Sequence, residues 1–186
     1  MEKPRILVHI CCAPDALYVA GLLGEMHQVT GFFYNPNIQP REEYERRLAE
    51  TRKVAARLGF PLIEGPRDEA LWMSLTAKFR AEPEKGRRCD VCYALRLRAA
   101  AEAARGAGIG LFTTVMSISP WKKAEVMNRI GRQFAVRYGL SFLAADFKKK
   151  DGFRKSVALS KEALLYRQDY CGCLASKRPP KTGAGA

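Results

Sequence analysis

The stretch Arg5-Ile6-Leu7-Val8-His9-Ile10-Cys11-Cys12-Ala13-Pro14-Asp15 decides the fold. Its first six residues read as a short buried strand, and Cys-Cys-Ala-Pro stops it. From Asp15 to His27 the apolar residues Leu17, Ala20 and Leu23 recur at helical spacing, with Pro14 suited to a helix start. The alternation then repeats. Residues 29–34 read as a second strand, ended by the turn-forming Asn35-Pro36-Asn37. Residues 42–58 form a helix with Tyr44, Leu48, Ala55 and Leu58 along one face and Gly59 as its stop. A brief strand at 61–64 precedes a weaker helix at 68–80, and an alanine-rich helix runs from Cys89 to Arg105 before Gly106. Next come a strand at 109–116 and a helix at 121–138 that turns Met127, Ile130, Phe134 and Tyr138 inward. A strand at 141–144 and a final helix at 153–166 complete the pattern.

Strands alternating with helices predict an α/β fold, a parallel sheet with helices on both faces. With no repeat and no linker, the chain reads as one domain over residues 1–176, followed by a basic, Pro/Gly-rich tail at 177–186 expected to be disordered. In such a sheet a ligand lies beyond the carboxyl ends of the strands, at the switch point in strand order. The loops at 11–15, 34–40 and 117–122 all follow strands, so they are expected to converge there.

An apolar share of 47% and a charged share of 27% are those of an ordinary globular protein. No apolar run approaches the roughly 20 residues that span a bilayer. The apolar part of the N-terminus is too short for a secretory signal, so a cytoplasmic location, with reduced thiols, is expected. The 32 Lys and Arg against 19 Asp and Glu leave a net charge of +13, a field that attracts polyanions such as nucleic acid. Lys177, Arg178 and Lys181 belong to the tail, and the remainder is still clearly basic. A solvated basic surface without a partner would carry the same charge.

The six cysteines come as Cys11-Cys12, Cys89-x-x-Cys92 and Cys171-Gly172-Cys173, with none left over. In a reducing compartment that pairing points to metal or redox chemistry rather than disulfides. Cys89 and Cys92, three apart at a helix start, project on one face. The helix N-terminus and neighbouring Arg87 and Arg88 are expected to favour their thiolates. Four thiolates suit an iron–sulfur cluster or a structural zinc, and metal-free thiol redox chemistry is a third possibility. Two sulfurs and Asp15 remain once four ligands are assigned, a surplus that favours a cluster with a second metal site beside it.

These residues also carry a resemblance to a known family. The chain resembles the QueH type of epoxyqueuosine reductase through His9-x-Cys11-Cys12-Ala13-Pro14-Asp15, Phe33-Tyr34-Asn35-Pro36-Asn37-Ile38-x-Pro40 and Glu43-Tyr44 with Arg47. The likeness continues through Cys89-x-x-Cys92-Tyr93-x-Leu95-Arg96-Leu97, Phe112-Thr113-Thr114 with Ser117-x-Ser119-Pro120, and Tyr166-Arg167-Gln168-x-Tyr170-Cys171-Gly172-Cys173. The blocks run in order over nearly the whole chain. The resemblance implies a Rossmann-like fold of the HUP class shared with tRNA-thiolating ATP pyrophosphatases. It also implies an oxidoreductase that removes the epoxide oxygen of epoxyqueuosine at the tRNA wobble base by two-electron reduction. Carried over by position, Cys11, Cys12, Cys89 and Cys92 would ligate a 4Fe-4S cluster, while Asp15, Cys171 and Cys173 would hold a mononuclear iron next to it. The partners implied are tRNA carrying epoxyqueuosine and an external low-potential electron donor.

Chemistry makes that set coherent, because an epoxide oxygen leaves poorly unless a Lewis acid or a proton takes its developing charge. His9, alone on a buried strand, fits a structural hydrogen-bonding role. Tyr34, Asn35 and Asn37 could touch the nucleoside or simply shape a turn. Thr113, Thr114, Ser117 and Ser119 could bind phosphate or sugar, with helix capping as the alternative for Ser119, and Trp121 could stack on a base or join the core. Two other functions compete. An ATP-using tRNA thiolase would need a Ser-Gly-Gly-type phosphate loop where Cys11-Cys12-Ala13-Pro14 stands. A zinc-stabilised RNA-binding module would hold zinc and no iron.

Overall fold

The structure is a computed structural model that describes residues 2–177; Arg178 and Lys181, and with them most of the expected tail, lie outside the described residues. Five parallel strands form one sheet: β1 (Arg5–Ile10), β2 (Gln28–Phe33), β3 (Leu62–Glu64), β4 (Leu111–Thr114) and β5 (Ser141–Phe142). Their spatial order is β3-β2-β1-β4-β5. The chain winds outward from β1 in one direction, then returns to begin again at β4, so the switch point lies between β1 and β4. Right-handed crossovers then send α1 (Ala13–Gly24) and α2 (Arg41–Leu58) to one face, and α4 (Arg87–Gly106) and α5 (Ala124–Tyr138) to the other. The short α3 (Glu69–Thr76) leans on α4, and α6 (Gly152–Glu162) packs on α1.

β1 is the centre of the core. Ile6, Leu7, Val8 and Ile10 have no exposed surface, as a strand covered on both faces requires. At Gly31 on neighbouring β2, an added Cβ would lie 2.7 Å from the Phe60 ring and 2.9 Å from Ile10 Cδ1. The strand passes there only because the residue has no side chain.

Several boundaries differ from the periodicity. α1 begins at Ala13, not Asp15, because Cys12 is still extended and Pro14 fills the first turn, where an N–H is not needed. α4 begins at Arg87, before Cys89, since Gly86 provides the extended entry. β4 ends at Thr114, whose hydroxyl accepts the N–H of Met116 and turns Val115–Ile118 into a 3-10 segment. α5 starts at Ala124, leaving Trp121 and Lys122 in the loop, and α6 stops at Glu162, well before Tyr166. Leu58 is turned largely outward and Trp121 is about half exposed, 49%.

Gly31→Val is expected to destabilise the fold by about 1–3 kcal/mol through overpacking between β2 and its neighbours. The check is the urea midpoint, and an unchanged midpoint would contradict this account of the strand.

Candidate metal centre

The loop after β1 brings three donors together. Cys11 Sγ lies 3.9 Å from Cys12 Sγ and 3.9 Å from Asp15 Oδ2, and the three ligand atoms fall within 4.8 Å of one another, all buried. Asp15 reaches back because α1 starts at once, which puts it one turn along from Cys11. The hydrogen bond shared with Cys12 holds the Cys11 thiol well below its ordinary range; burial opposes this, and Lys122, Arg96 and Arg47 assist it. Cys12 is pushed up by the same bond. Burial, and then the charge on Cys11, raise Asp15 to about 7.

The other cysteines lie beside this group. Cys89, Cys92, Cys171 and Cys173 line a void of about 10 Å³, room for about one water-sized atom. All six cysteines are free thiols. A larger cavity of about 110 Å³ has Cys11, Asp15 and Cys171 in its wall, together with Arg47, Lys122 and Arg167. Cys171 borders both spaces, so the seven residues form one continuous site at the carboxyl end of the sheet. Arg88 favours the Cys89 thiolate, as expected, but burial outweighs it there and prevails at Cys92 as well. Burial raises both thiols, Cys92 to about 11. Arg87 pairs with Glu82, and one Arg88 nitrogen is taken by the carbonyls of Arg80 and Glu82.

The last cysteine pair lies on irregular chain and is held by a side chain. Arg47, fully buried on α2, donates to the carbonyl oxygens of Cys171 at 3.0 Å and Tyr170 at 3.1 Å, and its Nε donates to Glu43 at 2.6 Å. Gly172 has φ of +133°, and a Cβ there would meet Asn37 and Ile38 at 2.9 Å, so only glycine permits this turn. Arg96, fully buried on α4, donates to Asn35 Oδ1 at 2.5 Å; Asn35 in turn donates to the Ile10 carbonyl at 2.9 Å. His9 donates from Nε2 to the Tyr34 carbonyl at 3.0 Å and accepts at Nδ1 from Thr114, 2.9 Å away. Burial and then Arg96 keep it neutral.

Asn35, Asn37 and Thr114 are therefore interior residues, and Thr113 donates to the Leu143 carbonyl. Ser119 does not cap the start of α5, where Lys123 stands; it accepts the N–H of Trp121 and, with Trp121, borders the larger cavity. Lys122 was legible only as a loop boundary. Burial works to depress it, but the charges of Cys171, Cys11 and Asp15 together hold the ammonium firmly protonated. Trp72, on α3, was not singled out by the sequence either, yet it lines the void with the four thiols.

A parallel Rossmann-like sheet whose first loop carries thiols and a carboxylate, where nucleotide-binding relatives of the fold carry a phosphate loop, defines a metal-binding class of enzyme on this fold. A model of the family described as epoxyqueuosine reductase QueH matches residues 6–179. A protein of that name from Streptococcus pyogenes serotype M1 is 34% identical over 178 residues, covering 92% of this chain and 70% of its own length. Another, from Thermotoga maritima, is 34% identical over 174 residues, covering 92% of this chain and 89% of its own. The chain belongs to the epoxyqueuosine reductase QueH family. Among solved structures, a U34-tRNA thiolase NcsA from Methanococcus maripaludis, with its 4Fe-4S cluster, superposes with a TM-score of 0.58 at 12% identity, over 90% of this chain and 59% of that one. That likeness concerns the fold. No helix among the described residues is long and apolar enough to cross a membrane.

Asn35→Ala removes the acceptor of a buried guanidinium and the donor to Ile10, so it is expected to cost about 1–3 kcal/mol. Thermal unfolding of the variant checks this; a neutral effect would show that Arg96 is satisfied without Asn35.

Proposed function

We propose that this chain is an epoxyqueuosine reductase that removes the epoxide oxygen from epoxyqueuosine in tRNA, with two electrons and two protons, to give queuosine and water. The observation that carries the proposal is the gathering of three cysteine pairs and Asp15 at the switch point between β1 and β4. An ATP-using thiolase on this fold would need anion-binding backbone there, and Cys11-Cys12-Ala13-Pro14 takes that place.

The donor set fits a sulfur-rich, anionic iron centre. Trp72 Nε1, Arg88 Nε and Nη2, and Arg96 Nη1 are buried with no hydrogen-bond partner, and Trp72 and Arg88 line the void among the thiols. Buried N–H groups without acceptors are costly, and metal-bound thiolates and sulfides are acceptors. Our assignment places a 4Fe-4S cluster on Cys11, Cys12, Cys89 and Cys92, and a single iron on Asp15, Cys171 and Cys173. Asp15 and Cys171 both border the larger cavity, which supports a single iron facing the substrate; Cys11 borders it as well, and Cys173 lines the smaller void with Cys89 and Cys92. When bound, these groups supply single electrons and a Lewis-acid position for the departing oxygen.

The chain's own residues do the rest. Lys122, held protonated by the surrounding anions, offers a hydrogen bond and a proton to an oxygen that gains charge in the cavity. Arg47 fixes the backbone of the Cys171 loop, and Trp121 at the rim presents a half-exposed ring to a base. The net charge of +13 draws the polyanionic tRNA to that surface. An external low-potential donor supplies the electrons.

Reconstituted protein, reductant and epoxyqueuosine-containing tRNA should yield, after digestion, a nucleoside lighter by one oxygen, without ATP. Intact metal centres with no deoxygenation under several reductants would overturn the assignment. Sulfur insertion with ATP consumption would put a thiolase in its place. Within the site, Cys89→Ala should remove most visible absorbance and iron, whereas Asp15→Ala or Cys171→Ala should abolish turnover yet keep much of the cluster. The reverse pattern would overturn the division of ligands.

A further inference from the structure

Helix α3 contributes little to the core. Only Trp72 and Thr76 along it are buried, and Leu71, Met73 and Leu75 are exposed. Trp72 therefore owes its place to what it touches inside. Its ring separates two spaces: the void with Cys89, Cys92, Cys171 and Cys173, and an outer cavity of about 350 Å³ between α3 and residues 174–175. It is only 6% exposed, yet its indole N–H has no hydrogen-bond partner. Arg96 lies one helical turn from Cys92 on α4, and its Nη1 is likewise buried without a partner. Arg96 Nη2 donates to Asn35, and its Nε lies 3.4 Å from His9 Nε2. Trp72 lines the same void as Cys92, and Arg96 follows Cys92 by one turn, so two buried donors without a partner stand beside one thiol.

Each such donor is costly if it stays unpaired in the working protein. A neutral thiol accepts weakly, whereas a metal-bound thiolate is an anion and accepts well.

We propose that the indole N–H of Trp72 donates to the Cys92 sulfur in the metal-loaded protein, and that this bond makes Trp72 a positioning residue that raises the reduction potential of the cluster. This rests on the reading that Cys92 is a cluster ligand. Reduction adds negative charge to the cluster and its sulfurs, so a donor fixed on one of them stabilises the reduced form more than the oxidised form. Arg96 acts in the same sense. It also secures Asn35, and its removal would confound fold with potential. Trp72 gives the cleaner test.

Trp72→Phe keeps a ring in the wall and removes only the N–H. In anaerobic, reconstituted protein it should keep its cluster, with the potential moved to a more negative value in a potentiometric titration followed by visible absorbance and electron paramagnetic resonance. At a fixed potential the reduced-to-oxidised ratio should fall about tenfold, which corresponds to about 59 mV for a one-electron couple. Should Trp72→Phe fail to hold the cluster, Trp72 can be replaced by benzothienylalanine, a ring of the same shape with sulfur in place of N–H, in a Trp121→Phe background where it is the one tryptophan left. The same negative shift is expected there. A wild-type potential in a cluster-loaded variant would overturn the inference alone. A wild-type protein that takes up no cluster would overturn the ligand reading beneath it, and the inference with it.

Discussion

The buried guanidinium of Arg47 is the constraint on which the site depends. The parallel sheet places Cys11, Cys12 and Asp15 by backbone geometry alone, and α4 places Cys89 and Cys92. The third pair has no such support, because past α6 the described chain is irregular apart from one 3-10 turn at Leu174–Ser176. Arg47 supplies the support by holding two successive carbonyls, those of Tyr170 and Cys171, while Glu43 neutralises it and Tyr166 caps the other carboxylate oxygen at 2.8 Å. Breaking one partner of such a buried pair costs about 3–5 kcal/mol, so the arrangement is costly to disturb. It works as a clasp between α2 and the end of the chain.

A second regularity is the sign of the interior. Arg96, Arg88 and Lys122 converge on a site whose other groups are thiols and one carboxyl, and four of the donor atoms of Trp72, Arg88 and Arg96 have no acceptor. Cations are brought into a protein interior at high cost unless anions meet them. The interior is thus complementary to a negatively charged, sulfur-bearing group, and this complementarity does not depend on any relative. Cys11 is held low by its hydrogen bond with Cys12 and by three cations, whereas at Cys89 and Cys92 burial outweighs the cations beside them and holds the thiols high.

The alternation of strands and helices was legible in the sequence because each short apolar run is bounded by turn residues. The cysteine pairs were legible because thiols in pairs are rare without a task. The boundaries were less so. Thr114 ends β4 early through a hydroxyl that local pattern does not reveal, and Gly86 starts α4 two residues before Cys89. The buried cations were hardest to read. Arg47 lies on a helix crowded with exposed charges, and nothing in their spacing separates it from its neighbours. Arg96 did leave a trace: like Arg88 before it, it is a charge on the inward stripe that carries Cys92, Tyr93, Leu97 and Ala100. Trp72 and Lys122 acquire meaning only when α3 and the loop before α5 are folded against the thiols.

At the centre stands the claim that seven side chains from three parts of the chain hold iron and sulfide as one centre. Metal and acid-labile sulfide analysis of protein purified and reconstituted without oxygen tests it most directly. About five irons and four sulfides per chain, with a brown solution, are predicted for a 4Fe-4S cluster beside a single iron. A colourless protein holding one equivalent of zinc and no iron after the same reconstitution would contradict the account.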